Sequence, residues 1–423
     1  MGSMPAKQQF DHLTRNAAEV VPSDELLQKL ERSVAHEKPL RVKLGLDPTA
    51  PDVTLGWAVV LRKLREFQDL GHTAVLIVGD FTARVGDPSG KSETRKRLSA
   101  EEVRGHADRL LGQFWRILDE SRTEVRYNSE WLAPMGMEEI LRLTASYTVA
   151  RMLERDDFAK RFADNKPISI MEFLYPLLQG QDSVDVEADV ELGGTDQLFN
   201  LLVGRELQRH RGQEPQVAFT MPLLVGLDGV QKMSQSLGNY VGITEPPEVM
   251  FEKLMSIPDE LIEQYIDLCT DIRTNWWPLL SEEERAAAEG RRGPNQQKRI
   301  MARHVVGTYH DPRETHFAEW KHARAAEERF DKVHRDRELP DDIPEVALPA
   351  ELAGQETLWL PRLLAELGLA TSNSDGRRKI VEGAVRIERQ PVTDPEAEFA
   401  PAELVGKVLA VGRRQFVRIA PSS

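Results

Sequence analysis

Two apolar runs separated by one amphipathic stretch constrain the fold of this chain most strongly. Residues 40–46 and 73–79 are apolar runs of strand length, and residues 58–70 between them repeat their apolar side chains with a helical period. Two strands joined by one such helix are predicted to pair in parallel, with a ligand crevice at their carboxyl ends. The sequence therefore predicts an α/β fold built on a Rossmann-like parallel sheet.

The length of the chain predicts several domains. At 423 residues it exceeds the usual size of one compact domain. An apolar strand at 219–226 is expected to complete the sheet domain, and helices are expected at 358–367 and 374–382. The predicted divisions are a helical N-terminal arm at 1–38, a sheet domain at 39–240 with a helical insertion at about 100–165, a helical domain at 241–336, a linker at 337–356 and a small α+β domain at 357–423.

Composition excludes several classes of protein. Cys269 is the only cysteine, which excludes an internal disulfide and a zinc site of several cysteines and fits a reducing compartment. Because no apolar run approaches bilayer length and the N-terminus lacks a secretion signal, we expect a soluble, cytoplasmic protein with no membrane partner. Residues 1–3 are set aside, because Met4 is an alternative start. A net charge of −14 argues against a wholly basic nucleic-acid coat, but a local basic patch can still bind a phosphate backbone.

Four short motifs occur in a fixed order around the predicted strands. They are DPT at 47–49 with Gly56, GDPSGK at 86–91, GGTDQ at 193–197 and KMS at 232–234. The first lies where a strand ends and a helix begins, so that free backbone N–H groups favour a phosphate there. One such turn alone also fits structural packing, whereas four motifs in one order are specific.

With these motifs the chain closely resembles the bacterial tyrosyl-tRNA synthetases, which are class I aminoacyl-tRNA synthetases, from about Val20 onward. The resemblance implies activation of tyrosine by ATP to tyrosyl-adenylate and transfer of the tyrosyl group to tRNA. Tyrosine, ATP and tRNA are the implied partners, and magnesium is implied only as a companion of the ATP substrate. It further implies a homodimer, no tightly bound cofactor and no metal site.

The segment YPLLQGQD at 175–182 resembles the tyrosine-binding helix of that family. Tyr175, Gln179 and Asp182 are spaced four and then three residues apart, so they share one helical face. The resemblance implies that Tyr175 and Gln179 hold the substrate amino group and that Asp182 accepts the phenol hydrogen. It also implies that Asp87 faces the ammonium and Gln197 the carboxylate. A solvated helix face is the alternative, which the apolar neighbours oppose.

The resemblance places the nucleotide among the same motifs. Lys43 is either a donor on the tyrosine side or a strand-end surface lysine, and Lys91 and Arg95 are either phosphate ligands or solvated surface charges. The other nucleotide-binding candidates are Asp47, Gly56, Gly194, Asp196, Lys232, Met233 and Ser234.

Three positions depart from the family signatures. The family has His-x-Gly-His where this chain has Thr54-Leu55-Gly56-Trp57, and Gln235 replaces the second lysine of the closing signature. Negative charge grows on the leaving pyrophosphate in the transition state, so donors aimed there carry the catalysis. A threonine hydroxyl reaches phosphate only through water, and an indole offers one N–H. The three changes leave open whether adenylation survives, and the catalytic candidates are Thr49, Thr54, Trp57, Lys232 and Gln235.

Residues 361–392 concentrate positive charge and resemble the small ribosomal-type RNA-binding domain of these synthetases. Such charges suit contacts with phosphates, although a charged helix face is the alternative. The predicted RNA-binding residues are Arg362, Arg377, Arg378, Lys379, Arg386 and Arg389. The helical domain before them resembles an anticodon-binding part.

Three functions remain open at this point. The first is a tyrosine–tRNA ligase. The second is a paralogue with impaired or altered adenylation that serves as a tyrosine- and tRNA-binding module, and the third is a ligase used in specialised metabolism or inhibitor self-resistance. An intact tyrosine side beside an altered nucleotide side motivates the last two.

Overall fold

The parallel sheet predicted from the β-α-β pattern is present in the computed structural model, which describes residues 4–49, 51–87, 100–312, 319–334, 343–388, 390–412 and 415–421. Six of the described strands form this sheet in the order β1-β6-β5-β2-β3-β4, and all neighbours pair in parallel except β1 and β6. The strands are β1 Glu19–Val21, β2 Arg41–Leu46, β3 Thr73–Val78, β4 Thr123–Tyr127, β5 Val190–Gly194 and β6 Val217–Met221. The predicted α/β fold is confirmed.

The strand order changes direction at β2. From β2 the chain moves to β3 and β4 on one side and returns through β5 and β6 on the other. A crevice opens at the carboxyl ends of strands at such a switch point, here between β2 and β5. The helices of this part are α1 Ala6–Leu13, α2 Ser23–His36, α3 Leu55–Asp69, α4 Ala100–Phe114, α5 Ser129–Leu132, α6 Met137–Ala145, α7 Val149–Met152, α8 Asp156–Ala163, α9 Ile170–Asp185 and α10 Leu198–His210.

Helix α3 shows how the local sequence produces the layers. Its apolar side chains recur at helical spacing and are buried against the sheet, including Leu55, Leu61 and Leu64. The hydroxyl of Thr54 accepts the backbone N–H of Trp57 and caps the first turn. Residues 54–57 therefore form the cap and first turn of a helix that is anchored by its buried apolar side chains.

Three predictions about the sheet are corrected. The segment at about 100–165 is not wholly helical, because it contains β4, whose half-exposed residues give no buried apolar run. The N-terminal arm contains β1, which pairs with β6. The strand expected at 219–226 occupies Val217–Met221 instead, and Pro222, which has no N–H to donate, follows it.

The region from residue 247 to residue 334 is helical wherever the structure describes it, apart from short turns. Its helices are α11 Pro247–Met255, α12 Ile262–Cys269, α13 Glu282–Ala288, α14 Pro294–His310 and α15 Lys321–His334. By its contacts the chain divides into two compact units, Met1–Ala323 and Arg324–Ser423. The finer domain boundaries remain predictions.

The second unit has its own core of buried leucine, isoleucine and valine side chains. Five of its described strands form a sheet in the order β10-β9-β12-β13-β7. Its elements are β7 Glu345–Ala347, α16 Ala350–Ala353, β8 Leu358–Trp359, α17 Leu360–Glu366, α18 Asn373–Val381, β9 Val385–Ile387, β10 Gln390–Pro391, β11 Glu398–Phe399, α19 Pro401–Leu404, β12 Val408–Val411 and β13 Gln415–Ala420. The predicted linker at 337–356 is thus partly wrong, because β7 belongs to this sheet.

Among the helices that the structure describes, none combines the length and the apolar character needed to cross a membrane.

Candidate active site

A cavity of about 660 Å³ lies at the carboxyl ends of β2 and β5, where the strand order changes direction. The predicted residues that line it are Asp47, Thr49, Thr54, Gly56, Trp57, Asp87, Tyr175, Gln179, Asp182, Gly194, Asp196, Gln197, Lys232, Met233, Ser234 and Gln235. Lys91 and Arg95 lie outside the described residues. Described residues of all four motifs therefore meet at one cavity, with Asp87 as the contribution of the motif at 86–91.

Helix α9 supplies the polar face predicted to bind tyrosine. Ser169 and Glu172 form a capping box at its start, and the face with Tyr175, Gln179 and Asp182 lines the cavity. On the opposite side, Gly180 allows close packing: a Cβ there would lie 3.2 Å from the Cα of Gly204 on α10. The helix position thus depends on this glycine contact.

Asp182 is buried and ionisable at the inner end of this face. Its Oδ1 accepts the indole N–H of Trp131 at 2.9 Å, and its Oδ2 accepts the amide N–H of Asn128 at 3.3 Å. Burial raises the pKa of the Asp182 carboxyl to about 7, although Lys43 and the two donors oppose the shift. A carboxylate has about four lone-pair sites, so it has room to accept a substrate hydroxyl.

Tyr175 is held by a chain of hydrogen bonds that ends at Asp182. The Tyr175 hydroxyl donates to Asp47 Oδ2 at 2.9 Å, and Thr82 donates to Asp47 Oδ1 at 2.7 Å. Asn128 then joins the hydroxyl of Thr82 to the carboxylate of Asp182. Burial, with the nearby Asp47 carboxylate, raises the pKa of the Tyr175 phenol well above its ordinary value, so it stays a neutral donor.

A second chain runs along the other side of the cavity. Asn200 donates from its amide nitrogen to the side-chain oxygens of Gln179, at 3.0 Å, and of Gln197, at 3.1 Å. Gln197 in turn donates to Asp87 Oδ2 at 3.1 Å. The side-chain amides of Gln179 and Gln197 therefore have defined orientations. Their oxygens can accept further hydrogen bonds near the predicted position of the substrate ammonium group.

The prediction that Lys43 contacts the substrate is corrected. Its side chain is 0% exposed, and its ammonium donates to the Gln179 carbonyl, to Ser183 Oγ and to Glu191 Oε1 at 2.8–2.9 Å. Lys43 and Glu191 are cross-strand partners on β2 and β5, so they meet beneath α9 instead of facing the cavity. Lys43 is neither a surface lysine nor a cavity residue.

On the nucleotide side, the start of α3 is in contact with the KMS segment. The thioether of Met233 lies 3.3 Å from the backbone nitrogen of Gly56, whose N–H points toward the sulfur. The Thr54 hydroxyl accepts the backbone N–H of Trp57 as the helix cap, so this contact uses one of its lone pairs and leaves its O–H as a donor. Lys232 is paired with Asp196 Oδ2 at 2.7 Å.

The other two altered positions lie at the rim of the same cavity. Trp57 is 41% exposed, which is unusual for an indole within a formed site. The amide of Gln235 donates to the Asp52 carbonyl, so the neutral side chain connects the KMS segment to the loop before α3. A lysine at position 235 would carry a positive charge to this rim.

The basic residues predicted to bind RNA lie in the second unit, with Arg389 outside the described residues. Arg377 pairs with Glu396, and Arg378 pairs with Asp375 on the same helix, α18. Lys379 also contacts Asp375, while Arg362 lies 4.0 Å from Glu366. Arg386 lies on β9. Ion pairs therefore offset part of the predicted positive charge.

Five residues that support the site were missed by the sequence analysis. They are Thr82, Asn128, Trp131, Glu191 and Asn200. Asn128 and Trp131 reach Asp182 from more than 50 residues away, so no local spacing indicated them. Asn200 lies only three residues after Gln197, and Thr82 itself lines the cavity. The polar residues within buried runs, such as Glu191 in β5, were the available signal.

Comparison with known proteins agrees with this geometry. The family model described as tRNA synthetases class I (W and Y) matches residues 35–325. The tyrosine–tRNA ligase of Moorella thermoacetica is 51% identical over 409 residues, covering 96% of this chain and 94% of that protein. The tyrosine–tRNA ligase of Carboxydothermus hydrogenoformans is 49% identical over 413 residues, covering 98% of each.

Solved structures show the same fold. The tyrosyl-tRNA synthetase of Archaeoglobus fulgidus, crystallised with L-tyrosine, aligns with a TM-score of 0.58 at 24% identity, covering 76% of this chain and 99% of that one. A mitochondrial tyrosyl-tRNA synthetase of Coccidioides posadasii, truncated at its C-terminus, aligns with a TM-score of 0.59 at 20% identity, covering 77% and 91%. The family match and the two long, close relatives together show that this chain belongs to the class I tRNA synthetases of the tryptophan and tyrosine type.

Proposed function

We propose that the chain is a tyrosine–tRNA ligase in which tyrosine recognition is intact and the adenylation step is slow. The observation that carries the tyrosine assignment is Asp182, a buried carboxylate held by Asn128 and Trp131 at the inner end of the α9 face. A buried acceptor of this kind favours a phenol over a phenyl ring, because an unmatched carboxylate is costly. The relatives named tyrosine–tRNA ligase support the same assignment.

In the proposed reaction the tyrosine carboxylate attacks the α-phosphate of ATP and pyrophosphate leaves. The 2'- or 3'-hydroxyl of the terminal tRNA adenosine then displaces AMP from the tyrosyl-adenylate. Tyr175, Gln179 and Asp87 hold the ammonium group, and Gln197 lies on the carboxylate side. Their hydrogen-bonded chains fix these side chains before the substrate binds, so little ordering is left to the reaction itself.

The ATP phosphates are proposed to lie between the start of α3 and the KMS segment, with Asp196 and Gly194 near the ribose. Magnesium would enter with those phosphates as part of the substrate. Among the described residues, no group of three or more His, Cys, Asp or Glu side chains could hold a metal. Lys232 would exchange its Asp196 partner for phosphate during the reaction.

Reduced adenylation is supported by how the three altered side chains are used. Thr54 caps α3, Gln235 bonds to the Asp52 carbonyl, and Trp57 extends a bulky apolar ring at the rim. Losing one preorganised donor typically costs about a hundredfold to a thousandfold in rate. A paralogue that binds tyrosine and tRNA without efficient activation is the second candidate, which these three side chains motivate and which the ligase relatives do not favour.

The test compares tyrosine-dependent exchange of pyrophosphate into ATP with tyrosylation of tRNA from presynthesised adenylate. The proposal expects slow exchange and effective transfer. Exchange at an ordinary synthetase rate eliminates the second candidate, and failure of both reactions in a protein that binds tyrosine eliminates the ligase.

The same assay tests the altered residues directly. Together, Thr54→His, Trp57→His and Gln235→Lys are expected to raise the exchange rate by at least about a hundredfold, because they return donors to the leaving pyrophosphate. The single variant Gln235→Lys serves as the partial restoration. An unchanged rate in the triple variant, with its fold intact, would mean that other groups already compensate.

The quaternary state and location complete the proposal. A homodimer in the cytoplasm is proposed from membership of this family. Light scattering of the purified chain at micromolar concentration distinguishes a dimer from a monomer.

A further inference from the structure

The buried ion pair of Lys43 and Glu191 is saturated with hydrogen bonds. The three acceptors of the Lys43 ammonium match its three N–H donors. Glu191 accepts from Lys43 and Gln179 on Oε1, and from Ser183 and Gln216 on Oε2. The two side chains are 0% and 1% exposed, so no solvent screens them.

A pair buried this deeply is poorly explained by stability alone. Removing two charges from water is costly, and well-packed apolar residues in the place of such a pair are often neutral or stabilising. The contacts of this pair indicate a different contribution, because two of its partners belong to α9. Lys43 binds the carbonyl of Gln179 and Glu191 binds the amide nitrogen of the same residue.

The first consequence concerns the amide of Gln179. Its nitrogen donates to Glu191 at 3.2 Å, while its oxygen accepts from Asn200 at 3.0 Å. A carboxylate accepts only, so the amide cannot turn over without placing its oxygen against Glu191. The Gln179 oxygen is thereby kept available to accept an N–H from an ammonium group.

The second consequence concerns Asp182, one helical turn further along α9. Lys43 opposes and Glu191 favours the protonation of this carboxyl, and both lie on the sheet beneath it. The other titratable groups around this part of the cavity are Tyr175, Asp47 and Asp87. Lys43 is the cation that opposes the rise in the pKa of Asp182, and Tyr175 adds no charge because it stays protonated.

We propose that the Lys43–Glu191 pair is a positioning element for substrate specificity, which fixes the amide of Gln179 and balances the charge of Asp182 from beneath α9. This inference rests on the proposed tyrosine recognition. It assigns no contact with substrate to either residue. It predicts that neutralising one member alters the choice of amino acid even though the cavity lining is unchanged.

The test measures binding of tyrosine and of phenylalanine to the full-length protein by equilibrium dialysis, which needs no adenylation. In the wild type, the preference for tyrosine is expected to fall as pH decreases through about 7, because protonated Asp182 is a poorer acceptor. Lys43→Met is expected to move this midpoint to higher pH, and Glu191→Gln to lower pH. Glu191→Gln is also expected to weaken tyrosine binding about tenfold at its own pH optimum, because the Gln179 amide loses its charged acceptor.

Opposite shifts from the two variants distinguish the inference from a merely structural role. Lys29→Met is the matched control, because Lys29 is also a buried lysine paired with acids, Asp189 and Glu214, but lies on α2. It is expected to lower stability without moving the midpoint. If Lys43→Met does not fold, Glu191→Gln and the charge-retaining Lys43→Arg decide the question.

The outcomes separate this inference from the proposed function. A wild-type protein that binds no tyrosine contradicts the proposed function. Tyrosine binding with an unchanged midpoint and an unchanged tyrosine preference in Glu191→Gln overturns the positioning role alone. A midpoint near the wild-type value in Lys43→Arg, beside a lowered midpoint in Glu191→Gln, supports it.

Discussion

At the scale of single residues, Asp182 links substrate recognition to the stability of the fold. Burial raises its pKa to about 7, so the folded state binds a proton that the unfolded state has released above about pH 4. The free energy of unfolding therefore receives a contribution that falls as pH rises from about 4 to about 7. Asp182 accepts the substrate hydroxyl best in its ionised form, which prevails above about pH 7. In that pH range the residue stabilises the fold least.

We predict that Asp182→Asn removes this pH dependence. As pH rises from 4 to 7, the free energy of unfolding of the variant minus that of the wild type should increase by up to about 4 kcal/mol. A tenfold change in proton affinity corresponds to about 1.4 kcal/mol. Urea unfolding at several pH values measures the difference. Parallel stability curves for the two proteins would contradict the buried, titrating state of Asp182.

Thr54 provides a second residue-scale prediction. Thr54→Ala should lower the free energy of unfolding by about 1 kcal/mol, because the first turn of α3 loses its cap. Thr54→Ser, which keeps the hydroxyl, should remain close to the wild type in the same urea titration. Equal losses in the two variants would mean that the methyl group, and not the cap, stabilises this position.

The sequence predicts the residues that line the cavity better than it predicts the residues that hydrogen-bond to them. Tyr175 and Asp182 could be predicted because helical spacing fixes their common face. Lys43 could not be placed correctly, since its partner Glu191 is distant in sequence and adjoins it only when β5 lies beside β2. Asn128 and Trp131 were missed for the same reason.

At the scale of elements, the same limit appears in the strands. β3 is buried and apolar along nearly its whole length, and β2 is buried at four of its six residues, three of them apolar, so their composition predicts them. β4 mixes threonine, glutamate and arginine with its apolar residues at the edge of the sheet, and β1 and β7 have only three residues each. Pairing with a neighbour, and not local composition, determines these strands.

The contact between α9 and α10 supports an element-scale prediction. Gly180→Ala should separate the helices, because the new methyl group would lie 2.8 Å from Leu207 Cδ1 and 3.2 Å from the Gly204 backbone. We expect a loss of about 1–3 kcal/mol in stability and weaker tyrosine binding, since the polar face of α9 moves with the helix. Thermal unfolding and equilibrium dialysis measure the two effects.

Gly112→Ala is the matched control for that change. Gly112 lies in the exposed part of α4, and a Cβ there meets nothing within 4 Å. The free energy of unfolding of this variant should be up to about 1 kcal/mol higher than that of the wild type, because alanine has a higher helix propensity than glycine. Equal behaviour of the two alanine variants would show that α9 and α10 accommodate the methyl group without moving.

At the scale of the whole molecule, the residues of the cavity and the predicted RNA-binding residues belong to different compact units. Every residue that lines the cavity lies within Met1–Ala323, whereas Arg362, Arg378 and Arg386 lie within Arg324–Ser423. Surface ion pairs such as Arg378 with Asp375 contribute little to stability, so their arginines can exchange a carboxylate for a phosphate. Substitutions in the second unit should therefore affect tRNA without affecting activation.

We predict that Arg362→Gln with Arg386→Gln weakens tRNA binding while tyrosine-dependent pyrophosphate exchange, measured without tRNA, stays unchanged. Each lost phosphate contact should reduce the salt dependence of binding by about one in the slope of log K against log salt, or about two for the double variant. Lys7→Gln, an exposed charge change on α1, is the control for net charge and should leave that slope unchanged. A double variant with the wild-type slope would show that these two arginines do not contact phosphates. A fall in pyrophosphate exchange would show that the second unit influences activation, because neither arginine lines the cavity.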